Sequence, residues 1–475
     1  MGKTTGFMEY NRMENPYREV HARLSDYSDL HGQLSEQERR CQASRCMNCG
    51  VPFCQSGFGC PLHNLIPEWN DLLYAGHERE ALERLMLTAP FPEFTGRVCP
   101  ALCEKACNLA DEGVTNRDNE LYLIEKGFAE GWIHPRIPSY RTGKSAAVIG
   151  SGPSGLACAD MLNRQGHTVT VIDRADRPGG LLMYGIPNMK LPKEIVERRI
   201  RLMEEEGVRF ILNTEAEPQA LQGFDAVVLC GGARRPRRLD AAQPDTKGVC
   251  FAVDYLTEAT KGVLAGNESQ ISARGKNVVV VGGGDTGNDC VGTALRQGCK
   301  SVAQLEMMPA APEGRTAGNP WPEWPRTMRT DYGQTEAASV QGRDPRIYET
   351  TVQQIRVSPQ NEITAITTVM LKKAEDGKLA PVPGSDREMP CGLLLIAAGF
   401  TGCEEKTLSR FSMTADARGR LMPKDGSHYL SGKYFSAGDM RTGQSLVVRA
   451  LADGRAAAEE ADAFLKDAGI KAIAV

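Results

Sequence analysis

The stretch from Ser145 to Asp173, SAAVIGSGPSGLACADMLNRQGHTVTVID, decides the fold of this chain. It predicts a strand (AAVI), a glycine-rich turn, a helix and a second strand that ends at the aspartate. Gly150, Gly152 and Gly155 form Gly-x-Gly-x-x-Gly: the first permits a tight turn, the second lets backbone approach a pyrophosphate, and the third lets helix and strand pack closely. Asp173 follows about 20 residues later, where a carboxylate accepts hydrogen bonds from a ribose hydroxyl. The unit predicts a dinucleotide site with its pyrophosphate at a helix N-terminus.

A second unit of the same kind spans residues 276–308, KNVVVVGGGDTGNDCVGTALRQGCKSVAQLEMM. Its candidate nucleotide-binding residues are Gly282, Gly284, Asp285, Gly287 and Glu306. An acid at the end of the second strand favours a ribose 2′-hydroxyl, and hence NADH, because it repels a 2′-phosphate. Arg315 lies a few residues on and would offset that charge, and a solvated strand end is the plainer alternative for the acid. The sequence therefore does not decide whether the second unit binds NADH or NADPH.

The composition is typical of a globular enzyme of about three domains: 475 residues, 41% hydrophobic and 24% charged. A net charge of −4 gives no indication of nucleic acid or an anionic membrane as partner. The N-terminal residues lack the apolar segment of a signal peptide, and Gly6 stands where a myristoylation signal has Ser or Thr. No apolar run approaches the roughly 18 residues that span a bilayer. We therefore expect a cytoplasmic protein.

The chain has 15 cysteines, and eight of them lie close together in the first quarter: Cys41, Cys46, Cys49, Cys54, Cys60, Cys99, Cys103 and Cys107. In a reducing compartment such a group is more often a set of metal ligands or redox groups than of disulfides. Zinc sites usually pair two Cys-x-x-Cys motifs or add spaced histidines. Runs that end in Cys-Pro are instead typical of two-cluster ferredoxins, in which the last cysteine of a run serves the other cluster. Iron–sulfur clusters are therefore favoured, with zinc and disulfides as alternatives.

The order of the motifs GSGPSGL, VVLCGGA, VVVVGGGDTGND, LLIAAGF and YFSAGDM resembles the two-dinucleotide-binding flavoprotein family that contains thioredoxin reductase. The resemblance implies FAD in the first unit and NAD(P)H in the second, with flavin-domain chain on both sides of the nicotinamide domain. A late Gly-Asp pair that contacts the flavin's ribityl chain in that family matches Gly438 and Asp439. Gly180 would lie near the flavin ring or phosphates. The family's active-site Cys-x-x-Cys is absent from the second unit, so the electrons are expected to go elsewhere.

The whole chain, from about residue 6 to 460, resembles the small (β) subunits of bacterial-type glutamate synthases. The motifs that carry this resemblance are RCMNCGVPFC, GCPLHNLIPEWN, GRVCPALCEKACNL, GGLLMYGIPNMKLPK and NPWPEWP. The cysteine arrangement is also shared with dihydropyrimidine dehydrogenase, and it implies two [4Fe–4S] clusters. One would be held by Cys46, Cys49, Cys54 and Cys107, and the other by Cys60, Cys99 and Cys103. Two clusters need eight ligands, and these cysteines supply seven. Dihydropyrimidine dehydrogenase uses a glutamine as the eighth, and the corresponding position in this sequence is about Glu120. Cys41, an eighth cysteine nearby, is the alternative.

The same resemblance implies a function. The chain would oxidise NAD(P)H through FAD and pass electrons through the clusters to a large (α) subunit that carries FMN and makes L-glutamate from L-glutamine and 2-oxoglutarate. The alternative is an oxidoreductase of the same family that feeds ferredoxin or another acceptor. No catalytic side chain is assigned, because hydride passes between cofactors. An arginine block is a candidate for a cofactor phosphate, with a solvated loop as its alternative: Arg234, Arg235, Arg237 and Arg238.

The predicted fold class is α/β, with two Rossmann-like dinucleotide-binding domains preceded by an α-helical iron–sulfur domain. We expect the helical domain at residues 1–143, the first part of the FAD domain at 144–268, the NAD(P)H domain at 269–403 and the second part of the FAD domain at 404–475.

Overall fold

The structure, a computed structural model, describes residues 3–243, 245–423 and 425–473. Its α-helices are α1 Gly6–Glu9, α2 Val20–Leu24, α3 Glu36–Ser44, α4 Ile66–Ala75, α5 Glu78–Met86, α6 Pro92–Val98, α7 Leu102–Lys105, α8 Asn116–Ala129, α9 Pro153–Arg164, α10 Leu181–Tyr184, α11 Lys193–Glu205, α12 Ala252–Ala265, α13 Asp285–Arg296, α14 Tyr332–Gln341, α15 Glu405–Arg410, α16 Asp439–Thr442 and α17 Val447–Ile473. Short 3₁₀ helices span Phe53–Gln55, Ala110–Glu112 and Pro218–Leu221.

The strands are β1 Ser145–Ile149, β2 Thr168–Ile172, β3 Arg209–Ile211, β4 Ala226–Leu229, β5 Val249–Phe251, β6 Asn277–Val281, β7 Ser301–Leu305, β8 Arg346–Ile347, β9 Thr350–Val357, β10 Ile363–Lys373, β11 Leu379–Pro381, β12 Arg387–Pro390, β13 Leu393–Ile396, β14 Tyr429–Ser431 and β15 Tyr434–Ser436. They form three sheets, two of them mainly parallel. The predicted α/β class is therefore confirmed.

The N-terminal region is a group of packed helices. A capping box of Ser35 and Glu38 starts α3, and Gly76 in the left-handed conformation ends α4. Helix α6 packs against α8, and α4 against α5, around fully buried side chains such as Trp69 and Phe94. The cysteine-bearing loops are held between these helices, so their positions depend on this small core.

The first dinucleotide unit belongs to a six-stranded sheet with the order β14-β15-β4-β1-β2-β3. Its strands are parallel except β14, which runs antiparallel to β15. Helices α9 and α17 pack together, so the end of the chain covers the strand–helix unit that begins at Ser145. The resemblance implied that segments of the flavin domain lie before and after the nicotinamide domain in the sequence. Strand β15, from the end of the chain, pairs with β4 in the first sheet and so has that arrangement.

The second unit belongs to a five-stranded parallel sheet, β5-β13-β6-β7-β8, with the antiparallel strands β9–β12 beside it. Strand β5 pairs with β13, and Tyr255 and Leu256 of α12 pack into the same core as Val278 and Val280. The second domain therefore begins near residue 249, earlier than the edge expected at 269. The reason is that β5 is a three-residue strand whose place is set by its partner, which is more than a hundred residues away in sequence.

Buried ion pairs join the helical region to each of the two sheet domains. Glu93 of α6 and Arg199 of α11 form an ion pair in which both side chains are fully buried. Arg23, in the N-terminal segment, forms a buried ion pair with Glu336 of α14. Within the described residues, no helix is long and apolar enough to cross a membrane.

Candidate functional site

The first glycine loop has the geometry that a pyrophosphate requires. Gly150 has a positive φ of 105°, and a Cβ on it would collide with the carbonyl of Cys230. A Cβ on Gly155 would collide with the carbonyl of Gly150, so helix and strand pack closely only because this residue is glycine. Gly152 is the N-cap of α9 and faces open space. Unpaired N–H groups at this helix start can therefore bind an anion.

Asp173 holds this loop in place. One carboxylate oxygen accepts hydrogen bonds from the backbone N–H of Ser151 (2.7 Å) and from its hydroxyl (2.5 Å). The other accepts one from the N–H of Ala175 (2.8 Å). The acid predicted to contact a ribose thus lies beside the glycine loop and also stabilises it.

A cavity of about 390 Å³ opens from this loop. Gly180, Asp439 and the glycine loop line it from the first sheet domain, and Phe251 and Asp254 line it from the second. We call it the dinucleotide cavity. Burial raises the pKa of Asp439 to about 6, although a hydrogen bond from Ser445 opposes the shift. Gly438, with φ of 69°, donates its N–H to Asp453 (2.7 Å).

The sequence did not single out a cluster of charged residues at the Asp173 end of the dinucleotide cavity. Arg174 makes a bidentate ion pair with Glu404 (2.8 and 3.0 Å), and Glu215 forms an ion pair with Arg410. All four side chains line the cavity. No local pattern marks them, because they come together from segments about 200 residues apart in sequence.

The arginine block divides between two environments. Arg234 lines the dinucleotide cavity, with its guanidinium 3.9 Å from Glu404. Arg235 does not line the cavity, and its guanidinium donates to the hydroxyl of Thr401 (2.9 Å). Arg237 and Arg238 do not line the cavity. Of the four, only Arg234 is placed to meet a cofactor phosphate.

The second glycine loop repeats the geometry of the first. Gly282 has φ of 127°, and a Cβ there would collide with the carbonyl of Ala397. A Cβ on Gly287 would collide with the carbonyl of Gly282, and Gly284 is the N-cap of α13 and faces open space. Asp285 opens α13 and is exposed to solvent.

Glu306 makes the same contacts as Asp173. One oxygen accepts the N–H of Gly283 (2.9 Å), and the other accepts the N–H of Met308 (2.8 Å). Arg315, the cation that could offset this charge, donates to the backbone carbonyl of Glu323 (2.7 Å). The carboxylate of Glu306 therefore lies directly against the second glycine loop.

Four of the clustered cysteines line one small cavity near the surface, which we call the outer cysteine cavity: Cys46, Cys49, Cys54 and Cys107. Phe53 and Ile66 line it as well. Burial raises the pKa of Cys46 to about 12 and also raises the pKa of Cys54, so without a metal these thiols carry protons at neutral pH.

A second cavity, the inner cysteine cavity, is lined by the remaining predicted ligands: Cys60, Cys99, Cys103 and Glu120. Arg117 and Val448 also line it. Burial raises the pKa of Cys60 to about 11 and that of Cys99 to about 12. Burial also raises the pKa of Glu120 to about 8, against the effect of a hydrogen bond from the hydroxyl of Thr95.

Cys41 lies apart from both cysteine cavities. It is on α3, where its sulfur lies 3.8 Å from the side-chain nitrogen of Gln37, and it lines neither cavity. The structure thus places Glu120, and not Cys41, beside Cys60, Cys99 and Cys103. All the cysteines are free thiols. Among the described residues, no three His, Cys, Asp or Glu side chains converge as ligands of a single metal ion do.

The donor sets fit iron–sulfur clusters. A [4Fe–4S] cluster takes four thiolates, or three thiolates and another donor, arranged around one cavity. The outer cysteine cavity offers four thiols, and the inner one offers three thiols and a carboxyl group. Loading would replace the protons of these groups by iron.

Comparisons with known proteins match both regions of the chain to known families. Residues 23–132 match the family described as dihydropyrimidine dehydrogenase domain II, 4Fe-4S cluster, and residues 144–454 match pyridine nucleotide-disulphide oxidoreductase. The chain is 47% identical, over 99% of its own length and 100% of the relative's, to the glutamate synthase [NADPH] small chain of Bacillus subtilis. It is 44% identical, over 97% of its length, to 23% of the glutamate synthase [NADH] of Schizosaccharomyces pombe. Among solved structures, FprA of Mycobacterium tuberculosis in complex with NADPH has a similar fold, with a TM-score of 0.53, 17% identity, and coverage of 69% of this chain and 86% of that one.

Proposed function

Because the chain belongs to the family of glutamate synthase small chains, we propose that it is the electron-input subunit of a glutamate synthase. It oxidises NAD(P)H by hydride transfer to FAD, and the electrons leave through [4Fe–4S] clusters to a large subunit that carries FMN. The large subunit makes L-glutamate from L-glutamine and 2-oxoglutarate. The chain thus serves glutamate biosynthesis and ammonia assimilation as a source of electrons.

The observation that carries this proposal is that the inner cysteine cavity adjoins the dinucleotide cavity at one helix and the outer cysteine cavity at another. Val447 and Ala450, in the first turn of α17, line the dinucleotide cavity, while Val448 between them lines the inner cysteine cavity. Ile66 of α4 lines both cysteine cavities. Neighbouring cavities therefore share a wall, which supports the order FAD, inner cluster, outer cluster.

The residues of the chain would bind and orient the cofactors. The N-terminus of α9 is suited to the FAD pyrophosphate, with Asp173 at its ribose and Arg174 and Arg234 at the same end of the cavity. Asp439 lines the same cavity, and below its raised pKa of about 6 its protonated carboxyl group can donate a hydrogen bond to the cofactor. When bound, the flavin accepts two electrons as hydride and the clusters carry one electron each.

We assign one cluster to each cysteine cavity. Cys46, Cys49, Cys54 and Cys107 are the ligands proposed for the outer one. Those proposed for the inner one are Cys60, Cys99, Cys103 and Glu120. An oxygen ligand such as the carboxylate of Glu120 changes the charge of a cluster and hence its reduction potential.

The outer cysteine cavity is the proposed electron exit and docking face for the large subunit. Val51 and Phe58, in the loops that carry Cys49, Cys54 and Cys60, are 67% and 48% exposed. We place the docking face here because an electron acceptor must approach the outer cluster, and a protein partner would bury these apolar side chains. We expect the complex to form in the cytoplasm, where thiols stay reduced and available to iron.

Anaerobic purification followed by iron, sulfide and flavin analysis tests the assignment. We expect about eight irons and one FAD per chain, as two four-iron clusters and one flavin site require. NAD(P)H should bleach the flavin and reduce artificial dyes. Zinc without labile sulfide, or a chain that cannot be loaded with FAD, would contradict the proposal.

The protein that accepts the electrons distinguishes a glutamate synthase subunit from an independent oxidoreductase of the same family. Co-purification with a much larger FMN protein supports the glutamate synthase role. Rapid reduction of ferredoxin by a chain that binds no such partner would favour an independent oxidoreductase of the same family.

A further inference from the structure

The connection between β7 and α14, residues 306–331, is too long to be a simple link, since most connections have about 4–6 residues. We call it the bridging loop. It has its own internal structure, centred on Asn319, which is 3% exposed. The Asn319 side chain donates to Glu323 (3.1 Å) and to the carbonyl of Trp324 (3.1 Å), and it accepts the N–H of Arg326 (2.8 Å). The loop therefore holds a defined shape.

The bridging loop begins at the second dinucleotide unit. Its first residue is Glu306, whose carboxylate binds the N–H of Gly283. Its base is closed by a hydrogen bond from the N–H of Met328 to the carbonyl of Pro312 (2.8 Å). These contacts attach the loop to the nicotinamide domain.

The tip of the bridging loop reaches the helical iron–sulfur region. The indole N–H of Trp321 donates a hydrogen bond to the carbonyl of Cys107 (3.1 Å). The Trp321 ring also packs on Phe53, with 4.9 Å between the ring centroids. Phe53 precedes Cys54, and both Phe53 and Cys107 line the outer cysteine cavity. Trp321 thus contacts one proposed ligand residue and the neighbour of another.

We propose that Trp321 is a positioning residue for the outer cluster. Its N–H fixes the backbone of Cys107, and its ring holds Phe53 against the cavity and limits the access of water to it. The nicotinamide domain then contributes to two redox sites. One is its own nucleotide site. The other is the outer cluster, whose proposed ligands all lie in the helical domain and which the nicotinamide domain contacts through the bridging loop. This inference rests on the proposed function, because it needs the outer cluster to be present.

Three substitutions separate the effects of the ring, the N–H group and the loop. Trp321→Ala removes both the ring and the donor. Trp321→Phe keeps an aromatic ring against Phe53 and removes only the donor. Trp324→Ala is the matched control, since Trp324 lies on the same loop with its ring against Arg329, 4.8 Å away. Cys49→Ser provides the spectrum of a chain with a damaged outer cluster.

The experiment is anaerobic iron analysis, together with electron paramagnetic resonance of the reduced clusters during a redox titration. Wild-type chain with no iron would overturn the proposed function itself. With iron present, we expect Trp321→Ala to lose about four of eight irons on exposure to air and to acquire the Cys49→Ser spectrum. Trp321→Phe should keep its iron and shift the potential of the outer cluster alone. Trp324→Ala should match wild type.

Outcomes that contradict the inference are equally distinct. If Trp321→Ala and Trp321→Phe keep both clusters with wild-type spectra and potentials, Trp321 does not position the outer cluster. If both variants lose the two clusters and FAD together, the contact is a general stability contact and the inference is wrong. If Trp321→Ala does not fold, Trp321→Phe alone tests the inference. A shifted potential of its outer cluster supports the inference, and a wild-type potential contradicts it.

Discussion

Asp173 and Glu306 make the same pair of hydrogen bonds in the two dinucleotide units. Each carboxylate accepts from the residue after the first glycine and from the residue two positions beyond itself. The negative charge of Glu306 is therefore fixed beside the second glycine loop. The backbone carbonyl of Glu323 accepts a hydrogen bond from Arg315, which lies on the same connection.

We therefore predict that NADH is the preferred donor, although the B. subtilis relative is named for NADPH and the S. pombe relative for NADH. The kcat/KM for NADH should exceed that for NADPH by at least about tenfold, equivalent to about 1.4 kcal/mol, because a 2′-phosphate would lie against a carboxylate. Glu306→Gln should lower the ratio of kcat/KM for NADH to kcat/KM for NADPH. Glu313 is exposed and lies on the same connection, and Glu313→Gln should leave that ratio unchanged. A wild-type preference for NADPH would refute this prediction.

Two glycines allow the nucleotide sites to be tested separately. Gly152 and Gly284 face open space and have φ of −68° and −79°, so alanine fits the protein itself at both positions. A Cβ there would meet only a bound pyrophosphate. Gly152→Ala should fold and lose FAD. Gly284→Ala should keep FAD and raise the KM for the nucleotide by roughly ten- to hundredfold, since contacts of about 1–3 kcal/mol are lost. Flavin absorbance and steady-state kinetics measure both effects, and loss of FAD from Gly284→Ala would contradict the assignment.

At the scale of elements, one histidine ties together the last part of the flavin domain. His428, just before β14, lies 2.7 Å from Glu460 and 3.2 Å from Asp453 of α17. Asp453 also accepts the N–H of Gly438, the N-cap of α16. The strand, the short helix at the cavity and the long helix thus share one network.

This network should make stability depend on pH. Burial lowers the pKa of His428, but hydrogen bonds to Asp453 and Glu460 outweigh it and leave the pKa above 6.5. The stabilisation is therefore fully present below pH 6.5 and is lost as the pH rises through the raised value. His428→Gln should cost about 1–3 kcal/mol at pH 6 and less at pH 9. Calorimetry of the FAD-loaded chain, with the exposed His77→Gln as control, checks this; an equal loss at both pH values would contradict it.

At the scale of the whole molecule, the ion pair of Glu93 and Arg199 fixes the iron–sulfur region on the flavin domain. Both side chains are fully buried, and α6, which carries Glu93, leads directly to Cys99. Glu93→Gln would leave the Arg199 charge buried without its partner and should cost about 3–5 kcal/mol in unfolding free energy. Replacing both residues by apolar ones should recover much of that loss. Thermal unfolding measures both, and a Glu93→Gln variant as stable as wild type would contradict the role of the pair.

The sequence predicted what depends on local chain geometry. The three glycines of each loop and the acid after each second strand have fixed spacings, because one turn and one strand set them. The two cysteine sets were assigned by resemblance, and the structure places each set around a cavity of its own, with Glu120 in the inner one.

What the sequence did not reveal depends on contacts between distant segments. Arg174 meets Glu404 because the two distant parts of the flavin domain fold together, and Trp321 meets Cys107 because the nicotinamide domain packs on the helical region. Strand β5 has three residues and no distinctive pattern, and its pairing with β13 moved the edge of the second domain. Such contacts are properties of the assembled fold and leave no local signal.

We propose that this chain supplies electrons for glutamate synthesis and leaves the synthesis itself to the large subunit. The most direct measurement is glutamate formation from glutamine, 2-oxoglutarate and NAD(P)H by the chain alone, by its co-expressed large subunit alone, and by the two together. We expect NAD(P)H-driven synthesis only from the pair, with dye reduction by the small chain alone. Glutamate synthesis by this chain alone, or a complex in which NAD(P)H is oxidised without glutamate formation, would contradict the account.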